Sequence, residues 1–218
     1  MVRTLIDHKK VFILALNGPA VGGGAAWFTG IADTIFAADS TYLQVPFSSL
    51  GLVPENGAAR TFAQSIGVHR ANDIFIYGKK VTAPELQQWG MVSEIFPTAT
   101  FLDNVKSFLE RQLEVNDAKS MMITKQLQNA PLRTERMVAL YDAADALHER
   151  FVTGDVLQRF LAKIQELNGE LTNSHNDNDR IANKNNRESR ETEQAVRWMA
   201  GHTTAGGIRH WEYRHQLA

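Results

Sequence analysis

Residues 11–27 read VFILALNGPAVGGGAAW, and this stretch decides the fold class. Residues 11–16 are a continuous apolar run, the pattern of a strand buried on both faces. Asn17, Gly18 and Pro19 stop it with a turn signal. Gly22, Gly23 and Gly24 then open a helix of small residues. Three glycines after a buried strand allow something to approach the backbone closely. A helix that starts there points free N–H groups and the positive end of its dipole at whatever approaches.

Working outward, residues 33–37 and 41–45 read as further short strands. Residues 58–66 look helical and end at Gly67, and a second helix from Val68 ends at Gly78. Thr82, Pro84 and Glu85 form a helix start with a capping box, which Gly90 later stops. Residues 91–96 are a strand candidate. From Thr98 onward the character is helical. Leu102, Val105, Phe108, Leu109 and Leu113 make one apolar stripe, and Met137, Leu140, Ala144, Leu147 and Phe151 another. Strands alternating with short helices, followed by a helical last part, predict an α/β fold with a helical appendage. Residues 172–192, TNSHNDNDRIANKNNRESRET, have too little apolar surface to offset their ordering entropy.

Composition narrows the function classes. Lys and Arg total 23, Asp and Glu total 24, and the net charge is -1, so charge offers no case for nucleic acid or an anionic membrane. There is no cysteine, which excludes disulfides, thiolate metal sites and a Cys nucleophile. No apolar run approaches the roughly 18 residues of a membrane span. The seven histidines lack ligand spacing, and no metal is expected.

The glycine run itself admits several readings. A P-loop requires Lys and Ser or Thr after its last glycine, where Ala25 and Ala26 stand. A dinucleotide fingerprint counted from Gly22 requires glycine or alanine at Trp27, and an acid about 20 residues on, where Tyr42, Leu43 and Gln44 stand. Two readings remain: backbone N–H groups that hold a developing oxyanion, or tight helix–strand packing. Residues 45–57, VPFSSLGLVPENG, pose a parallel question with their single charge, Glu55. A carboxylate there gains about 0.3–1 kcal/mol at the start of the following helix. Alternatively it is a lone general base in an apolar pocket.

Residues 15–62, ALNGPAVGGGAAWFTGIADTIFAADSTYLQVPFSSLGLVPENGAARTF, resemble the central half of the crotonase (enoyl-CoA hydratase/isomerase) superfamily. PFSSLGLVPENG followed by GKKVTAPELQQWGMVSEIFP is most similar to its peroxisomal Δ3,Δ2-enoyl-CoA isomerases. The resemblance runs from about Asp7 to about Leu167. It implies a ClpP/crotonase-type ββα spiral core, truncated at its N-terminus, with a helical C-terminal region. The implied organisation is a partial domain over residues 1–168, with its core in 1–97 and helices in 98–168, and a polar, disordered tail over 169–218.

The same resemblance implies site roles. Gly23, flanked by Gly22 and Gly24, would donate its N–H to the thioester oxygen of an acyl-CoA substrate, with no cofactor. The two glutamates of the hydratases would fall at Ala26 and Phe47, and both are absent. That leaves Glu55, in a PEN-G variant of the isomerases' PEG turn, to take a proton from C2 and return it to C4. Phe47, Leu50, Leu52 and Val53 would wall the pocket and raise the Glu55 pKa. The implied activity moves a 3-enoyl-CoA double bond to the 2-trans position in fatty acid β-oxidation. A trimer or hexamer and a peroxisomal location are implied as well. The chain nevertheless ends Gln216-Leu217-Ala218 rather than in a targeting tripeptide, which leaves the cytoplasm as the other location. The family carries roughly the first third of its fold upstream of the glycine run. An inactive truncated fragment or pseudoenzyme, or hydratase-like thioester chemistry in secondary metabolism, are therefore the alternatives.

Overall fold

A computed structural model describes residues 1–173 of the chain. In order they form α1 (Val2–Ile6), β1 (Ile13–Leu16), β2 (Ala20–Val21), α2 (Gly22–Ile31), β3 (Thr34–Ala38) and β4 (Tyr42–Gln44). A short 3-10 turn, Ser48–Leu50, leads to α3 (Ala58–Ile66), α4 (Val68–Phe75), β5 (Val81–Thr82), α5 (Ala83–Gln88) and β6 (Glu94–Phe96). The helices α6 (Phe101–Val115), α7 (Ala118–Asn129), α8 (Arg133–Val152) and α9 (Asp155–Asn173) follow.

β1, β3 and β6 pair in parallel in that order, with Leu14 opposite Ile35 and Ala37 opposite Ile95. β4 joins the shorter β2 in parallel and β5 antiparallel. The strand expected to be buried on both faces was the 11–16 run, but β1 lies at the sheet edge and Ala15 is exposed. The fully covered strand is β3, where Ile35, Phe36, Ala37 and Ala38 are all buried. An edge strand has a neighbour on one side only, so its residues are shielded less than those of the central strand.

Two clusters fill the interior. The larger joins Leu16 and Ala26 to Leu43, Val45, Phe47, Phe62, Ile74 and Leu86. The smaller lies on the other side of β3, where Phe36 meets Phe96 and Phe108 at ring distances of 6.0 and 5.2 Å. It shifts the expected α6 stripe by one residue at its start. Phe101 and Val105 are buried, one turn apart, while Leu102 and Leu113 are exposed. The stripe expected on α8 is only half-buried, and Ala144 is exposed.

Several boundaries follow local chemistry. The capping box forms as expected: Thr82 N–H donates to Glu85 Oε2 at 2.9 Å, and this bond is the main reason that the Glu85 pKa lies below its usual value. α4 stops at Phe75, short of Gly78, and β6 occupies only the last part of 91–96. α1 was not expected; it is one short amphipathic turn whose Val2 is buried.

Packing divides the chain into a compact unit over 1–159 and a second beginning at Phe160. In the second unit, Lys163 pairs with Glu166 at 2.7 Å. α9 runs through the boundary expected at 168, and the rest of the expected tail, 174–218, lies outside the described residues. Among the described residues no helix is long and apolar enough to cross a membrane.

Candidate active site

The segment between β4 and α3 carries the lone carboxylate, and it is fixed at several points. Phe47 is buried and stacks on Phe75, with ring centroids 6.1 Å apart. Leu52 N–H donates to the Phe47 carbonyl at 2.8 Å, and the Ser48 hydroxyl donates to the Phe75 carbonyl at 2.6 Å. Arg150 of α8 donates to the Gly51 carbonyl at 3.0 Å. Beyond Glu55 the chain reverses through two left-handed residues, Asn56 at φ 52° and Gly57 at φ 76°. Asparagine accepts this region better than most side chains do, so the turn forms without glycine at 56. Gly57 is required by space as well as by angle. A Cβ there would lie 3.3 Å from the Leu140 backbone nitrogen and 3.4 Å from the Ala139 carbonyl carbon. α8 therefore lies directly against the turn.

This turn places Glu55 over the start of α2. A Cβ added at Gly23 would fall 2.9 Å from Glu55 Oε2 and 3.2 Å from Trp27 Cζ2. A Cβ at Gly22 or Gly24 would meet nothing within 4 Å, although Gly22 is held at φ 83°. The close approach that calls for glycine is thus made by a carboxylate and an indole, not by a strand. No strand atom is among the nearest neighbours of an added Cβ at any of the three glycines. The glycine that close element packing requires is Gly30, at a helix–helix contact, where an added Cβ would collide with the Thr61 hydroxyl of α3.

Burial pushes the Glu55 pKa up from its ordinary value of 4.5, because a charge is less well solvated there. The Trp27 side chain opposes this more weakly by favouring the charged form. Its indole N–H is buried but falls short of hydrogen-bond geometry with any described protein acceptor. Ala26 and Phe47 are both buried in the core, and neither side chain carries an ionisable group.

Beside the turn is a cavity of about 280 Å³ lined by Leu52, Val53 and Pro54, by Ala59 and Ala63 of α3, and by Ala71 and Phe75 of α4, among others. Of the four wall residues expected from the sequence, Leu52 and Val53 line this cavity. Phe47 stands behind it against Phe75, and half-buried Leu50 ends the 3-10 turn. The structure also brings in residues that the sequence reading did not assign to the site: Trp27, Arg150, and the α8 backbone at Ala139 and Leu140. Trp27 was legible in principle, since it follows Gly23 by one helical turn and a helical side chain covers the preceding turn. Nothing local marks Arg150, which acts 99 residues away in sequence.

Residues 1–167 match the family described as enoyl-CoA hydratase/isomerase. The chain is 44% identical over 96 residues to a Delta(3,5)-Delta(2,4)-dienoyl-CoA isomerase of Pyricularia oryzae, an alignment covering 44% of this chain and 34% of the relative. It is 36% identical over 126 residues to Enoyl-CoA delta isomerase 2 of Rattus norvegicus, covering 58% of this chain and 32% of the relative. The aligned part is thus about a third of the length of these relatives. The fold superposes on the crystal structure of an enoyl-CoA hydratase/isomerase from Pseudoalteromonas atlantica with a TM-score of 0.71 and 21% identity, over 76% of this chain and 66% of that one. By the matched residues, and with the fold in agreement, this chain belongs to the crotonase, or enoyl-CoA hydratase/isomerase, family.

Proposed function

We propose that the protein is an enoyl-CoA isomerase that moves the double bond of a 3-enoyl-CoA to the 2-trans position. The observation that carries this reading is the pairing of one partly buried carboxylate, Glu55, with the Gly23 backbone, with Ala26 and Phe47 where hydration would need two further acids. With a single group, the balanced chemistry is a proton shuttle. Glu55 takes a proton from C2, the electrons pass into a dienolate, and the protonated Glu55 returns the proton to C4. No water is consumed.

The dienolate oxygen receives its hydrogen bonds at the start of α2, with Gly23 N–H as the donor. One such donor contributes about 2.7–4 kcal/mol to the barrier reduction. The raised Glu55 pKa supports the same role, since a base is most effective when its pKa approaches the working pH. The mostly apolar cavity bordered by Leu52 and Val53 suits an acyl chain; it adjoins the turn at Pro54 but is not lined by Glu55 or Gly23. The helical region carries exposed Leu102, Leu113, Leu127 and Val138, which supports a homo-oligomer of this chain, to be read by sedimentation.

The test is conversion of a 3-enoyl-CoA by the wild type and by Glu55→Gln. The variant keeps the side-chain shape and loses the proton acceptor, so a rate at least about a hundredfold lower is expected. Equal rates would remove Glu55 from the mechanism. Failure of the wild type to bind acyl-CoA would favour an inactive relative instead.

A further inference from the structure

We propose that Trp27 is the positioning residue of Glu55: its indole N–H is the hydrogen-bond partner of one carboxylate oxygen and leaves the other to face the reacting carbons. The inference rests on reading Glu55 as the base.

Two features of the geometry carry it. Trp27 Nε1 is buried with no acceptor among the described residues, and a buried donor left unmade is costly. The ring also lies where an acceptor is at hand. Glu55 Oε2, Trp27 Cζ2 and Trp27 Cε2 stand 2.9, 3.2 and 3.4 Å from a single point, the place of a Cβ on Gly23. Cε2 is the atom bonded to Nε1, so the donor edge of the indole and the carboxylate oxygen share one small space above the backbone of Gly23. Closure of Nε1 on the carboxylate is the one adjustment that the bond requires. Trp27 occupies this space because it stands one turn beyond Gly23 on α2, and only a residue without a side chain at 23 leaves room for both groups.

Among the described residues no other side chain is a named influence on the carboxylate. α2 carries no titratable side chain, and the 45–57 segment has only Glu55. On α3, Arg60 pairs with Glu135 of α8. On α8, Arg136 donates to Gln64 and Asn129, and Arg133 pairs with Asp7. Burial and Trp27 are the two influences on Glu55. A single neutral donor suits a shuttle. It holds the charged carboxylate in place without binding it so tightly that the proton cannot be accepted.

The experiment follows the indole N–H resonances of nitrogen-15-labelled protein from below the ordinary glutamate range to neutral pH. Trp27 is assigned by the signal lost in Trp27→Phe. Its resonance is expected to titrate in the wild type, with a midpoint above the ordinary glutamate range, and to lose that titration in Glu55→Gln. Trp27→Phe keeps an aromatic ring and removes the donor. Its kcat is expected to fall roughly tenfold, as loss of one hydrogen bond to a charged group implies, with KM unchanged and the acid limb of kcat moved to higher pH. A Trp27 resonance that ignores pH, in a protein that Glu55→Gln inactivates, would overturn the positioning role while leaving the base intact. Full activity in Glu55→Gln would overturn the base itself and the role built on it. The resonance titration needs only wild type and Glu55→Gln once assigned, so the inference can still be tested if Trp27→Phe folds poorly.

Discussion

At the scale of single residues, the site is controlled by how little room surrounds Gly23. Gly23→Ala places a methyl group 2.9 Å from Glu55 Oε2 and 3.2 Å from the Trp27 ring. The carboxylate must swing away, so kcat should fall by more than about tenfold while thermal stability changes little; the backbone donor is kept, and loss of that donor as well would reach 10²–10³. Gly24→Ala meets open space and serves as the control. Glu55 also leaves a signature in stability. Its folded pKa lies above 4.5, so across the window from 4.5 to the raised value the folded chain keeps a proton that the unfolded chain has released. Stability is therefore lost as pH rises through that window. Glu55→Gln, which cannot ionise, should be the more stable protein at neutral pH, and the difference should close below 4.5. Parallel unfolding curves for the two proteins at every pH would contradict the raised pKa.

At the scale of elements, α2 and α3 cross at Gly30, and the crossing sets the distance between the glycine-led start of α2 and the turn that carries Glu55. Gly30→Ala drives a methyl group onto the buried Thr61 side chain. Overpacking of this kind costs about 1–3 kcal/mol, to be read from the denaturation midpoint. A shift of the helices should also reduce activity, although Gly30 touches neither functional group. The start of α5 is governed more locally. Thr82→Ala removes half of a capping box and should cost about 0.5–2 kcal/mol, without change in kcat. Both effects trace to motifs of different legibility. The capping box is a four-residue pattern, whereas the role of Gly30 depends on Thr61, which is 31 residues further along the chain.

At the scale of the whole molecule, the helical region is fastened to the sheet by polar contacts as well as by Phe101 and Val105. Buried Lys125 of α7 forms an ion pair with Asp33 at 2.7 Å, just before β3. Asp33 also accepts from Phe12 N–H at 2.7 Å and from Asn129 at 3.0 Å. Asp33→Ala would leave the lysine charge buried without its partner, a loss of about 3–5 kcal/mol. Replacing both residues together, Asp33→Ala with Lys125→Met, should recover much of that loss, as a double-mutant cycle would show. α8 performs the corresponding task at the site, holding Gly51 through Arg150 and backing Gly57 through Ala139 and Leu140. Arg150→Ala should therefore lower activity through the position of the Glu55 turn, more than it lowers stability.

The sequence by itself determined the fold class, the glycine-led helix, the capping box and the candidacy of Glu55. Each of these is local: a run of apolar residues, a turn signal or a short motif constrains the few residues next to it. It misjudged β1, because whether a strand is an edge or a centre depends on which strands pair with it, and β3 took the covered position. It left the glycine run open between packing and chemistry. Only the tertiary structure bears on that, by bringing Glu55 and Trp27 over Gly23 and leaving Gly22 and Gly24 uncrowded. Such proximity is a property of how α2, the 45–57 turn and α8 cross in space, and no pattern along the chain encodes the distance between atoms of separate elements.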